Sequence, residues 1–445
     1  MKNILVLGAG RSSSALITYL LDHAAAGDWK VTVADSSQEF AASRTLSHPS
    51  GSAIKFDIND TAQREYEIEN ASLVISLLPP HLHQLAASDC LKHKIHFLTA
   101  SYLTPEMAAL DADAKKAGIL MLNECGLDPG IDHMSAVEII SRLKSEGCRL
   151  EAFKSFTGGL VAPESNDNPW GYKISWNPRN VILAGQGTAR YIDNGVYKYI
   201  PYRRIFRDIE HITVSGYGTF DGYANRDSLA YRHFYGIEEI PTLLRGTLRQ
   251  AGYCKAWDIF VKLGVTDDSF VIENAERLTY GQMIRAFLPS THSTGDIISD
   301  LAAFCGLEVS DPAIELVKWT GILEDTPTGI PNASPAKILQ HLLEKKWALR
   351  PGDKDLVIMQ HQFTYVRGAQ KEELISTLVV KGDNAVHTAM AKTVGLPLAI
   401  VAKNVLNGTI KSTGVMIPVQ KDIYEVILRE LEACGINFTE KVTQL

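Results

Sequence analysis

A short apolar run, residues 3–7 (NILVL), opens directly into the turn GAGRSS and then into the helical pattern SALITYLLDH. Strand, glycine turn and helix in that order restrict the start of the chain to a dinucleotide-binding βαβ unit. Gly8 permits the tight turn out of the strand. Gly10 has no side chain, so a pyrophosphate can approach the backbone at the positive end of the helix, with Arg11 and Ser12 next to it. The third glycine position of the fingerprint holds Ser13, which brings helix and strand slightly less close. A second strand, KVTVAD, ends in Asp35, about twenty residues on, where a carboxylate accepts hydrogen bonds from ribose hydroxyls and repels a 2′-phosphate. No arginine follows at once; the next is Arg44. This favours NAD over NADP. The alternative reading of Asp35, a helix N-cap, suits either cofactor.

The first 125 residues keep alternating strand and helix. Strands SAIKFDIND, SLVISLLPP, IHFLTASY and ILMLNE predict a doubly wound parallel sheet, whose ligands lie at the carboxyl ends of strands. Those ends carry Asp35, Asp57, Leu78, Ser101, Tyr102 and Glu124-Cys125. Thr104 as N-cap, Pro105 and Gly118 frame one helix. After DPGIDHMSAVEIISRLKSEG, a loop and helix, the pattern changes. Runs EAFKSFTGG, YKISW, NVILAG and TARYIDNGVYKYI read as β-type, with Asn194-Gly195 as a hairpin turn. Residues 227–349 read as mostly helical, with loops near 290–295 and at DTPTGIPNASP. DLVIMQHQFTYVRG and KEELISTLVVKG form a second hairpin, and the end is helical again.

The fold class is therefore α/β: a Rossmann-type doubly wound parallel sheet with an inserted α+β domain and a small helical subdomain. Residues 1–125 with about 390–445 form the dinucleotide domain. Residues 126–226 with about 350–389 form the substrate and dimerisation domain, and 227–349 the helical subdomain. A net charge of −7 without a basic run argues against nucleic acid. No run approaches the roughly 18 uninterrupted apolar residues of a membrane span. No charged and apolar leader precedes the first strand, and the six cysteines lack metal-ligand spacing. A cytoplasmic protein with reduced thiols and no metal is the expectation.

At the substrate end, Arg226 lies in a turn-prone stretch, and Arg245 and Arg249 lie in LLRGTLR, one turn apart if that segment is a helix. Guanidinium forks suit a di- or tricarboxylate; surface arginines on a solvated helix face are the equal alternative. Asp128, held by Pro129 and Gly130 in a rigid corner, is the candidate to bind a substrate ammonium or move a proton. Asp132 is the more natural cap of the following helix. His133 is a candidate proton carrier or a structural residue, and Cys125 is packing.

These residues resemble a known family. NECGLDPGIDHMSA (123–136), FTGGLVAPESNDNPWGYKISWNPRNVILA (156–184), YANRDS (223–228) with LLRGTLR (243–249), HTAMAKTVGLPLAI (387–400) and GTIKSTGVMIP (408–418) resemble saccharopine reductase, the L-glutamate-forming saccharopine dehydrogenase of α-aminoadipate lysine metabolism. The resemblance implies reversible joining of glutamate and α-aminoadipate semialdehyde through a secondary amine, with a nicotinamide hydride added to the imine carbon, in a homodimer. It places Gly10, Arg11, Ser12, Asp35, Ser36, Ser37, Asp57, Ile58, Leu78, Leu127, Asp128, Pro129 and Ser175 on the cofactor. It places Ser101, Tyr102, Asp128, Arg226, Arg245, Gly246 and Thr247 on saccharopine. The chain departs from the family at the cofactor end, with Asp35-Ser36-Ser37 where many members have a Cys-Arg-Thr type segment, and GAGRSS for the more usual GxGxVA. Related readings are a carboxynorspermidine or opine-type dehydrogenase and a non-catalytic nucleotide sensor.

Overall fold

The computed structural model describes residues 1–290 and 294–445, so the loop expected near 290–295 lies partly outside the described residues. In chain order the described strands are β1 (Lys2–Leu7), β2 (Trp29–Asp35), β3 (Gly51–Lys55), β4 (Leu73–Ser76), β5 (His96–Thr99), β6 (Leu120–Leu122), β7 (Arg149–Val161) and β8 (Thr188–Asp193). There follow β9 (Val196–Pro201), β10 (Ile209–Val214), β11 (Gly218–Ala224), β12 (Thr242–Gln250), β13 (Asp355–Arg367), β14 (Gln370–Lys381), β15 (Gly414–Met416) and β16 (Phe438–Gln444).

Met1–Arg149 and Leu378–Thr439 form one compact unit. Its sheet has the order β15-β6-β5-β4-β1-β2-β3, with all neighbours parallel. Parallel strands need crossovers that cover both faces with helices, which is why Ile4–Leu7 and Leu73–Ser76 are unbroken buried runs. Strand β1 pairs with both β2 and β4, so the winding direction reverses there. The crevice at that reversal is where doubly wound sheets bind ligands. The loops after β1, β4, β5 and β6 open onto it. The first helix, Ser14–Asp22, packs on Ala389–Leu406 from the far end of the chain. That 18-residue helix is long and apolar enough to cross a membrane, yet 78% of it is buried here, as befits a core helix. The contact is close because position 395 is glycine: a Cβ there would lie 3.0 Å from Leu16 N and Cβ and 3.1 Å from Ser12 O.

Leu150–Thr377 with Glu440–Leu445 form the second unit. Its mixed sheet runs β10-β11-β12-β7-β13-β14-β16, and the β8–β9 hairpin attaches to β12. Asn194 and Gly195 both take positive φ (48° and 77°), as a two-residue hairpin turn requires. Helix Tyr253–Leu263 closes an aromatic core in which Trp170 stacks on Phe260 at 5.8 Å and Trp257 on Trp347 at 6.1 Å.

Several expectations need correction. LLRGTLR is not helical: it is the middle of β12, flanked by β7 and β11 and buried on both faces, so its apolar residues show no strand alternation. YKISW forms no ladder; Lys173 is buried there and tied to Asp353 and Asp167 at 2.6 and 2.9 Å. NVILAG is largely the helix Pro178–Ile182, started by Asn177, whose side chain accepts from Arg179 N. The helix expected after Thr104 breaks into Pro105–Ala108 and Asp111–Ala117. The contact boundaries also differ from the expected ones. Helix Ile131–Ser145 joins the first unit, residues 227–349 are part of the second, and the terminal strand β16 carries residues 440–445 into the second.

Candidate active site

At the carboxyl end of β1, Gly8 takes φ +100° and a Cβ there would press on Leu77 O at 3.2 Å, so the turn requires glycine. Gly10 has nothing within 4 Å of where a Cβ would stand, and it precedes the short turn Arg11–Ser13 without any side-chain cap. Ser13, in the third glycine position, is buried and folds its hydroxyl back to donate to Gly10 O at 2.8 Å, which absorbs its extra bulk. Asp35 ends β2 half-buried. One carboxylate oxygen accepts from Ala9 N at 2.8 Å; the other accepts from Ser37 N at 3.0 Å and Ser36 Oγ at 3.3 Å. Arg44 reaches the same loop, donating from Nε to Ala9 O at 3.1 Å beside the Phe40 ring. The open glycine turn at a helix start and the acidic end of β2 fit a dinucleotide. Asp57 is exposed and accepts from Asn59 N. Ile58, expected near an adenine, packs its side chain into the core, and Leu78 lies half-buried against that same core cluster.

The loops after β5 and β6 are tied to each other. Glu124 N donates to Ser101 O at 2.9 Å and Cys125 N to Thr99 O at 3.1 Å. Glu124, buried and at φ +55°, accepts from Leu103 N at 2.9 Å and pairs with His133 Nε2 at 2.8 Å. His133 is 0% exposed and lies 3.5 Å from Asp132 on its other side. Through Glu124, His133 is tied to Leu103 N, in the loop that carries Ser101 and Tyr102. Asp132 is not the helix cap either: Gly130 holds that position, and Asp132 accepts from Gly130 N from within the first turn. Leu127 and Pro129 are buried, and Asp128 between them is half-exposed, joined to Pro129 by a cis peptide. Burial pushes the Cys125 thiol far above its ordinary range, which makes it inert packing. Glu124 was visible in the sequence only as the end of a strand.

In the second unit Arg245 is 3% exposed, with its guanidinium 4.2 Å over the Tyr231 ring. The YANRDS turn wraps its backbone: Arg245 N donates to Ser228 Oγ at 2.9 Å and Asn225 N to Arg245 O at 2.8 Å. Arg226, exposed and at φ +47°, belongs to this turn, so the two arginine motifs meet in one corner. Arg249 does not join them. Four residues along an extended strand place it about 13 Å from Arg245 instead of the roughly 6 Å of one helical turn. It is buried against the rings of Tyr172, Tyr253 and Tyr223 at 5.2, 5.5 and 6.0 Å. Gly246 lies under Phe156, Thr247 is half-buried on the Arg245 face, and Ser175 is buried in this unit. Among the described residues no three His, Cys, Asp or Glu side chains are grouped to hold a metal ion.

Comparison with known proteins agrees with this geometry. The saccharopine dehydrogenase NADP binding domain matches residues 4–122, and the saccharopine dehydrogenase C-terminal domain matches residues 126–436. The bovine mitochondrial alpha-aminoadipic semialdehyde synthase is 36% identical over 99% of this chain, which spans only 48% of that protein. Saccharopine dehydrogenase [NADP(+), L-glutamate-forming] of Pyricularia oryzae is 34% identical over 99% of both chains. The apo saccharopine dehydrogenase (L-Glu forming) of Saccharomyces cerevisiae superposes with a TM-score of 0.88 at 32% identity, covering 100% of each chain. With both domain families matched in order and full-length relatives above 30% identity, this chain belongs to the saccharopine dehydrogenase family of nicotinamide-dependent oxidoreductases.

Proposed function

We propose that this chain interconverts saccharopine with L-glutamate and α-aminoadipate semialdehyde. The observation that carries the reading is the corner where the turn carrying Arg226 is hydrogen-bonded to the strand of a buried Arg245, itself stacked on Tyr231. A desolvated guanidinium on a rigid strand grips a carboxylate far better than a mobile surface one, and saccharopine offers three. A dinucleotide bound there would supply the hydride acceptor for the carbon beside the secondary amine. Water adds to the resulting imine carbon, and the C–N bond then breaks to release glutamate. Gly10, Arg11 and Ser12 would hold the pyrophosphate, and Asp35 the adenosine ribose. Asp128 would hold the substrate ammonium and take its proton before hydride leaves.

We also propose NAD in preference to NADP, because Asp35 sets a carboxylate where a 2′-phosphate would lie. The NADP(+) in the fungal relatives' names sets the contrary expectation, and measuring both dinucleotides against saccharopine decides between them. Reduced nicotinamide and free glutamate should appear together; neither appearing with either dinucleotide rejects the activity. Asp128→Asn should lower turnover far more than it lowers dinucleotide affinity, and unchanged turnover rejects its role. A homodimer is part of the proposal, tested by sedimentation of the purified chain.

A further inference from the structure

His83 is a buried imidazole that the mechanism above does not use. It begins the helix His83–His93, just past the β4 loop, and is 4% exposed. Its Nδ1 lies 2.8 Å from Ser76 Oγ, the last residue of β4. Its Nε2 lies 2.7 Å from Ser101 Oγ and a longer 3.3 Å from Thr99 Oγ1, both at the end of β5. The three hydroxyls and the ring therefore line the carboxyl edge of the sheet. Burial pushes the imidazole down to about 4, so it stays neutral at physiological pH, with one ring nitrogen donating and the other accepting.

Which nitrogen carries the proton follows from the hydroxyls. Ser76 is 0% exposed, and the imidazole is the one partner of its hydroxyl among the described residues. If Nδ1–H donated to Ser76 Oγ, the buried Ser76 proton would have no acceptor, at a cost of about 1–3 kcal/mol. With Ser76 donating to Nδ1, Nε2–H donates to Ser101 Oγ. Thr99 Oγ1 accepts the Ser101 N–H at 3.2 Å, so its own proton would favour an accepting Nε2; at 3.3 Å that is the longest of the three contacts to the ring, and the two shorter ones outweigh it. Ser101 then has its acceptor side filled from within, and its own proton is left to point outward. Such a hydroxyl is a directed donor, suited to an anionic oxygen.

We propose that His83, fixed as the Nε2–H tautomer by Ser76, is a positioning residue that turns the Ser101 hydroxyl into a donor toward a substrate carboxylate. The substrate half of this rests on the proposed saccharopine activity; the tautomer does not. In the full chain labelled with 15N-histidine, His83 should show a protonated Nε2 and an unprotonated Nδ1, and Ser101→Ala should shift Nε2 while leaving Nδ1 nearly unchanged. The opposite tautomer overturns the proposal whether or not saccharopine is turned over. For catalysis, His83→Ala should raise KM for saccharopine about tenfold with kcat and the dinucleotide KM within about twofold. His83→Gln, whose carboxamide nitrogen can donate to Ser101, should recover most of the loss. The double variant with Ser101→Ala should be no worse than Ser101→Ala alone. Additive losses, or no rescue by glutamine, refute the positioning role. Failure of the wild-type chain to oxidise saccharopine, with the Nε2–H tautomer present, refutes the activity and confines the device to another anionic ligand.

Discussion

Gly395 offers the sharpest test of how the two ends of the chain build the cofactor edge. In an exposed helix, Gly→Ala stabilises by about 1 kcal/mol. Here the added Cβ would meet Leu16 Cβ and N at 3.0 Å and Ser12 O at 3.1 Å, and two of those three atoms are backbone that no rotamer change can move. Overpacking of this kind costs about 1–3 kcal/mol, so the clash should outweigh the helix gain and leave Gly395→Ala destabilised by roughly 1 kcal/mol. For a unit of this size that lowers Tm by about 2–4 °C. The strain has an address: Ser12 and Leu16 belong to the turn and helix start that follow Gly10, so relief of the clash tilts the segment meant to face the pyrophosphate. Dinucleotide affinity, followed by the fluorescence of the bound reduced nicotinamide, should fall about threefold to tenfold, and Gly395→Val should do worse on both counts. An alanine variant with a raised Tm and unchanged dinucleotide affinity would show that this helix pair is not in close contact.

Other expected outcomes are quickly stated. Asp35→Asn removes one negative charge and one of two acceptors for backbone N–H groups; its affinity for NADPH relative to NADH should rise about tenfold, on the order of 1–2 kcal/mol, and an unchanged ratio in paired titrations excludes Asp35 as the discriminator. Arg245→Lys keeps the charge but loses the fork and the stack on Tyr231; KM for saccharopine should rise at least about tenfold with dinucleotide affinity unaffected, and an unaltered KM removes Arg245 from the site. His83 gives a signed pH dependence. Its folded value of about 4 lies below its ordinary 6.5, so between those values the unfolded chain binds a proton that the folded chain refuses. Stability from this group is complete above pH 6.5 and is lost as pH falls toward 4, by about 3 kcal/mol in all. Melting curves at falling pH should show the wild type losing more than His83→Gln, and parallel losses would locate the acid sensitivity elsewhere.

The nucleotide-binding half was legible because each of its signals is local. A buried parallel strand needs an unbroken apolar run, and the turn after β1 needs glycine at position 8 for its positive φ. Both constraints are written in consecutive residues. The ties that set the site were not, since Glu124 to His133, and Ser76 through His83 to Ser101, are met only after β4, β5 and β6 have been laid side by side. The seventh strand was hidden for a related reason: Gly414–Met416 is three residues long and finds its place only against β6.

LLRGTLR shows how a wrong element can still put residues on a shared face. Residues four apart share a face both on a helix and on a strand, so Arg245 and Arg249 were correctly placed on one side while the distance between them was misjudged. A helix would have joined them into one fork. The strand separates them, gives Arg249 to a tyrosine cage and sets Arg245 against the YANRDS turn that carries Arg226. The proposed carboxylate grip thus draws on two segments that sequence spacing could not suggest, nineteen positions apart in number and brought together because β11 pairs with β12 at Ala224 and Gly246. Replacing Ser228, whose hydroxyl accepts from Arg245 N, with alanine removes one clasp of that turn without touching either guanidinium. If the corner is what binds, Ser228→Ala should raise KM for saccharopine severalfold and leave kcat and dinucleotide affinity unchanged. Equal KM in the two proteins would mean that the arginines act independently of the turn that joins them.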